Sequence, residues 1–156
     1  MFVRKYSPGE EPELWQLFHE TVRLVNIRDY TQEQVQAWAP DWMDPASWCS
    51  RIKQNDPYVC VCDGAIVGFA DLQKSGYIDQ LFVHYAWQRK GVGRNLITRI
   101  ELDASMQNIA ALSANVRITA RPLFSAHGFR VVQEQEVTIR DVCFTNFLMM
   151  KQLRIE

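Results

Sequence analysis

No apolar stretch in this chain approaches the roughly 18–20 residues that a membrane-spanning helix needs. The first residues, MFVRKYSPGEEPELW, turn acidic where a secretory signal would place its apolar segment. The expectation is therefore a soluble, cytoplasmic protein with no membrane partner. An excess of one charge is also missing: 17 Lys and Arg stand against 18 Asp and Glu, for a formal net charge of −1. Without an overall basic field the chain does not read as a dedicated nucleic-acid binder, and local patches must carry any anion binding. Cysteine is sparse. Cys60 and Cys62 share one strand face in YVCVCDG, while Cys49 and Cys143 stand alone. That pattern excludes a four-ligand metal site and suits small hydrophobes in a reducing compartment. Linkers, repeats and low-complexity stretches are absent, so residues 1–156 are expected to form one domain.

What is present is a clear succession of patterns. After FVRKY, Ser7, Pro8 and Glu10 predict a helix start, and Leu14, Leu17, Phe18, Thr21 and Val25 recur at helical spacing, giving a helix over 9–26. Thr31 and Gln34 form a capping box for a short helix ended by Pro40, and Asp44-Pro45 opens a third. From Tyr58 the texture becomes β. YVCVC and AIVGFADLQ flank the two-residue turn Asp63-Gly64, and YIDQLFV reads as a third consecutive strand. A long helix follows, with Val92, Leu96, Ile97, Ile100 and Ala104 on its buried stripe. ALSANV, a short helix stopped by Gly128, and two long strands complete the chain. The order predicts an α+β domain, a mixed and mostly antiparallel sheet of about seven strands flanked by helices, not a doubly wound one.

The segment QRKGVGR, residues 88–94, carries the most chemistry. A loop entering a helix offers unpaired first-turn N–H groups and the positive end of the helix dipole to an anion. Gly91 and Gly93 let a phosphate approach the backbone, and Gln88, Arg89, Lys90 and Arg94 add donors. A diphosphate suits this cradle. A Walker A loop is excluded because no Gly-Lys-Ser/Thr follows, and a dinucleotide fingerprint fails at Leu96 and Asn115.

Gln-x-x-Gly-x-Gly after a strand ending in LFV, with ANVRITARPLFSAHGF downstream, resembles the acetyl-CoA-binding pattern of the GNAT superfamily of N-acetyltransferases. YTQEQVQAWAP and GFRVVQEQEVTIRD...TNF resemble a bacterial group of small GNAT proteins, and the likeness spans essentially the whole chain. It implies a GNAT-like fold with acetyl-CoA as donor. Backbone groups of Leu81, Phe82 and Val83 would bond the pantetheine arm. Gln88, Arg89, Lys90, Gly91, Val92, Gly93 and Arg94 would cradle the pyrophosphate, and Asn115 would contact the cofactor where its strand splays away.

Acetyl transfer to an amine calls for a proton acceptor, and the resemblance makes Asp79, acting through water, the candidate base. At the position where many members carry a tyrosine acid this chain has Phe124, a cofactor contact that donates no proton, and Ser125 beside it points about 100° away. The acid is left unassigned. His19, His84 and His127 are isolated and read as structural or surface residues. Tyr30, Trp38, Trp42 and Trp48 concentrate aromatic surface in the segment expected to cover the acceptor. Tyr30, Trp38 and Tyr77 are the candidate acceptor contacts, with Asp41 and Asp44 as nearby acids. The leading expectation is transfer to a primary amine of a small molecule or an exposed protein amino group. A non-catalytic acyl-CoA sensor is the alternative, and a homodimer paired through the long terminal strands is compatible with either.

Overall fold

The computed structural model describes residues 1–153. Eight strands and five α-helices are found among them: β1 (Phe2–Lys5), α1 (Glu11–Leu24), α2 (Gln32–Trp38), α3 (Pro45–Asn55), β2 (Tyr58–Cys62), β3 (Ala65–Ala70), β4 (Tyr77–Ile78), β5 (Leu81–Val83), α4 (Val92–Met106), β6 (Ala111–Arg117), α5 (Arg121–Ala126), β7 (Arg130–Ile139) and β8 (Val142–Gln152).

Local chemistry explains most of the boundaries. Thr31 and Gln34 form the expected reciprocal capping box on α2. Asp63 and Gly64 both adopt positive φ, as the tight β2–β3 hairpin requires. Helix α1 departs from expectation, beginning at Glu11 rather than residue 9. Glu10 accepts from the Ser7 N–H, but Ser7 does not cap in return, and the Glu10 carboxylate is held by Arg4 at 2.8 and 3.0 Å. Asp44 does precede α3, but it accepts from the Ser47 hydroxyl at 2.9 Å instead of capping a backbone N–H.

The strands form two four-stranded sheets, ordered β1-β2-β3-β5 and β4-β6-β8-β7. This corrects the expected continuous strand YIDQLFV. Its first half, β4, pairs parallel to β6, and its second half, β5, pairs antiparallel to β3. The two long C-terminal strands pair with each other, and β8 also pairs with β6, leaving β7 as the edge.

Helices cover both faces of this split sheet. The predicted stripe of α4 is buried throughout and packs with Leu112, Ala114, Phe129 and Met149. On the other face Leu14, Leu17, Phe18 and Val22 of α1 meet Val59, Phe69, Phe82 and Phe144, with Trp48 of α3 closing the cluster. Cys60 is fully buried, as its pattern predicts, whereas Cys49 and Cys143 are exposed. Among the described residues no helix is long and apolar enough to cross a membrane, and no group of His, Cys, Asp or Glu is arranged to hold a metal ion.

Candidate active site

The site begins where the chain changes sheets. Asp71, just beyond β3, is 0% exposed, and its carboxylate accepts from the N–H of Asp79 at 3.1 Å and of Gln80 at 2.7 Å. Its own N–H donates to the Gln80 carbonyl at 3.3 Å. Burial pushes the Asp71 carboxyl up to about 6, against the lowering effect of the bonds it accepts from Gln80 and Asp79. The two-residue interruption between β4 and β5 is thus satisfied by a side chain instead of a strand partner. Nothing in the sequence reading singled out Asp71. Its signal was an acid at the end of the apolar run AIVGFA.

Because β5 follows one sheet and β6 the other, the two strands separate and leave a cavity of about 340 Å³ between them. Gln80 pairs with Asp71 on the β3 side, and the His84 N–H bonds the Val67 carbonyl at 2.8 Å. The alternation of an antiparallel ladder then turns the Phe82 backbone toward β3 and the backbone of Leu81 and Val83 toward the gap. Phe82 is therefore placed against its expected role: its polar groups belong to the sheet, and its ring packs edge-on to Phe18 at 4.9 Å. The Val83 carbonyl is already engaged by the Thr21 hydroxyl at 3.1 Å and the Gln88 amide at 2.7 Å.

That last bond revises Gln88, whose amide folds the loop back onto β5. Arg89 and Gly91 take positive φ, at 59° and 86°, and turn the chain into α4. The Asn95 N–H makes the first intrahelical bond, to Gly91, so the N–H groups of Val92, Gly93 and Arg94 lack helical acceptors. Arg89, Lys90 and Arg94 are exposed, and none is ion-paired among the described residues. A Cβ on Gly93 would lie 2.6 Å from Leu123 Cδ2, so glycine allows α5 to close on the start of α4, while the space beside Gly91 is open. This arrangement fits a diphosphate: free N–H groups, the positive helix end and three unneutralised cations surround an accessible backbone.

Asn115 lies on the β6 wall, donating to the Tyr77 hydroxyl at 3.2 Å and accepting from Gln135 at 2.9 Å. Burial, its largest influence, raises the Tyr77 phenol above its ordinary value. Phe124 lines the cavity but is buried, its ring edge-on to Phe129 at 5.0 Å. Asp79 faces the same space. Its Oδ2 accepts from Arg51 at 2.9 and 3.1 Å and from Asn55 at 2.9 Å, while Oδ1 has no side-chain partner among the described residues.

Trp38 and Tyr77 line the cavity, and Tyr30 does not. The Tyr30 hydroxyl donates to the Thr145 carbonyl at 3.0 Å and accepts from the Ile118 N–H at 2.9 Å, so it braces the strands behind the wall. Trp48 is core and Trp42 is solvent-exposed. Neither expected acid reaches the space, since Asp41 binds Arg23 and His19 while Asp44 binds Ser47. The histidines lie outside the lining as well. Arg51, Arg117 and Asn146, which the sequence reading passed over, do line it.

A sheet opened between two strands, beside a glycine-entered helix start, is the arrangement that the resemblance to acetyl-CoA-dependent N-acetyltransferases implies. Comparison with known proteins agrees. Residues 26–151 match the family described as "Acetyltransferase (GNAT) domain". The uncharacterized N-acetyltransferase YafP of Escherichia coli K12 is 31% identical over 94% of this chain and 93% of its own length. A GCN5-related N-acetyltransferase from Rhodopseudomonas palustris superposes with a TM-score of 0.92 at 28% identity, covering 97% of this chain and 94% of that one. yncA from Salmonella typhimurium, solved with acetyl-CoA, gives a TM-score of 0.71 at 17% identity, covering 100% and 95%. The chain belongs to the GNAT acetyltransferase family. It is an acetyl-CoA-dependent acetyltransferase, and the sensor alternative gives way to an enzyme.

Proposed function

We propose that this enzyme acetylates the primary amine of a small molecule bound between Trp38 of α2, the β4–β5 interruption and the inner face of β6 and β8. The observation that carries this reading is the apolar part of the cavity wall. Phe18, Val25 and Trp38 from the helical segment and Val137 and Ile139 from β7 line the cavity together, which suits a compact acceptor better than a protein surface.

The backbone of Leu81 and Val83 would align the pantetheine arm, and the start of α4 would hold the pyrophosphate through the N–H groups of Val92, Gly93 and Arg94. When bound, acetyl-CoA supplies an acetyl group activated as a thioester. Asp79, through Oδ1 and a water, accepts the proton the amine gives up as its nitrogen bonds the acetyl carbon and the C–S electron pair leaves with sulfur. Arg51 and Asn55 fix the carboxylate by binding its other oxygen. Phe124 contributes shape and no proton. A coenzyme A thiolate, with a thiol pKa of about 8.5, is a tolerable leaving group without help from that position.

Thiol release measured across a broad amine panel tests this. Release is expected only when an amine is present, with small amines turned over faster than peptides bearing free N-termini. Asp79→Asn is expected to lower kcat by about 100-fold while acetyl-CoA still binds. Turnover of peptides with small amines inert would refute the small-molecule reading, and an unchanged kcat in the variant would remove Asp79 from the proton path.

A further inference from the structure

Two buried side-chain polar atoms lack any hydrogen-bond partner among the described residues, Nη1 of Arg117 and Oγ1 of Thr119. Both residues line the same cavity. Unpaired buried polar atoms are rare in folded proteins because each forfeits its bonds to water. Two in one cavity, with one of them on a guanidinium, point to a missing ligand group.

Arg117 ends β6, opposite Asn146 of β8. Its guanidinium carbon lies 4.7 Å from the centre of the Trp38 ring and 5.4 Å from that of Phe144. Ring faces attract a cation and orient its plane, but they do not accept its five N–H donors. No carboxylate pairs with it among the described residues. Asp79, the single acid in the cavity lining among the described residues, is taken by Arg51 at 2.9 Å. Arg51 and Arg117 against Asp79 leave the lining with one uncompensated positive charge. A half-buried guanidinium with an unpaired, buried Nη1 and no anion is costly, and a carboxylate is its best geometric match through paired N–H···O bonds.

We infer that the acceptor carries a carboxylate as well as its amine, and that Arg117, steered by Trp38 and Phe144, binds that carboxylate with Thr119 as an additional hydrogen-bonding group. The acceptor is thus amino-acid-like, held at one end by Arg117 while its amine is presented to the acetyl group near Asp79. An acceptor without a carboxylate leaves the guanidinium unpaired, and a cationic one also adds to the positive charge. This specificity rests on the reading of the cavity as the acceptor site.

Matched probes separate the two readings. Thiol release is measured with amino acids, their carboxamides and the corresponding decarboxylated amines. The wild-type enzyme is expected to favour the acids by about 100-fold or more in kcat/KM. In Arg117→Met that ratio falls to about one, mainly through KM, while acetyl-CoA still raises the melting temperature as it does in the wild type. Arg117→Lys, which keeps the charge without the planar fork, retains part of the preference. A wild-type enzyme that uses carboxamides as well as acids overturns the inference. So does an Arg117→Met variant that keeps the wild-type ratio. If no amine is turned over at all, the acceptor reading fails, and the carboxylate site is then judged by binding. N-acetyl amino acids, titrated against tryptophan fluorescence, should bind the wild type and not Arg117→Met, and N-acetyl carboxamides should bind neither. Equal binding of acids and carboxamides, or no binding of acids, overturns it.

Discussion

Asp71→Ala is expected to destabilise the fold by about 2–6 kcal/mol near pH 5, because it leaves the buried N–H groups of Asp79 and Gln80 without acceptors at about 1–3 kcal/mol each. The pH dependence has a definite sign. The folded carboxyl titrates at about 6 and the unfolded one near 3.8, so the native state binds the extra proton between those values. The contribution of this group is therefore fully present below about pH 4. It falls by up to about 3 kcal/mol as pH rises through about 6, and is flat above. Alanine has no such segment, so the gap between wild type and variant is widest below about pH 4 and narrows toward neutrality. Urea unfolding followed at pH 5 and pH 8 reads this directly. Loss of the clamp also lets β4 and β5 straighten into one strand, which narrows the gap to β6, and kcat/KM should fall by about 100-fold even at pH 8, as expected for a displacement near 1 Å. A variant with wild-type unfolding midpoints and kcat/KM would show that the interruption is held by other contacts.

The second large effect is expected at Gly76. This residue turns the chain into β4 with φ +89°, and its carbonyl accepts from the Ser113 N–H at 3.0 Å, docking β4 on β6. A Cβ there would overlap the Ala111 carbonyl oxygen, which belongs to backbone and has little freedom to move. Gly76→Ala therefore combines left-handed strain with a backbone collision, and should cost at least about 3 kcal/mol, or about 10 °C in melting temperature for a chain of this size. Gly64→Ala supplies the control, since its φ is +77° and nothing lies within 4 Å of the added carbon. Strain alone, about 1–2 kcal/mol, is expected there. Equal melting shifts for the two variants would remove the collision from the account.

These two positions also mark where sequence reading stops. Helical stripes and capping boxes are local, so α2 and the buried face of α4 were legible from spacing. The glycine loop was legible for the same reason, since its helix start and its Gly-x-Gly lie within a few residues. The division of YIDQLFV between two sheets was not, because period-2 alternation continues through Asp79 and Gln80 and the cause sits eight residues upstream in Asp71. Side-chain engagement was equally hidden. Gln88 reads as a phosphate donor until its amide is found on the Val83 carbonyl, and Tyr30 reads as a pocket residue until both its bonds prove to be structural. Arg117 shows the opposite failure. In ANVRITA it is one more strand-end cation, and only the absence of an anion around it among the described residues makes it informative.

Amide hydrogen exchange with and without acetyl-CoA tests most directly whether the gap between β5 and β6 and the start of α4 hold the donor. Slowed exchange is predicted at Leu81 and Val83 on the open edge of β5 and at Val92, Gly93 and Arg94, whose N–H groups lack helical acceptors. Saturating acetyl-CoA that leaves these amides unchanged while protecting another surface would contradict the account.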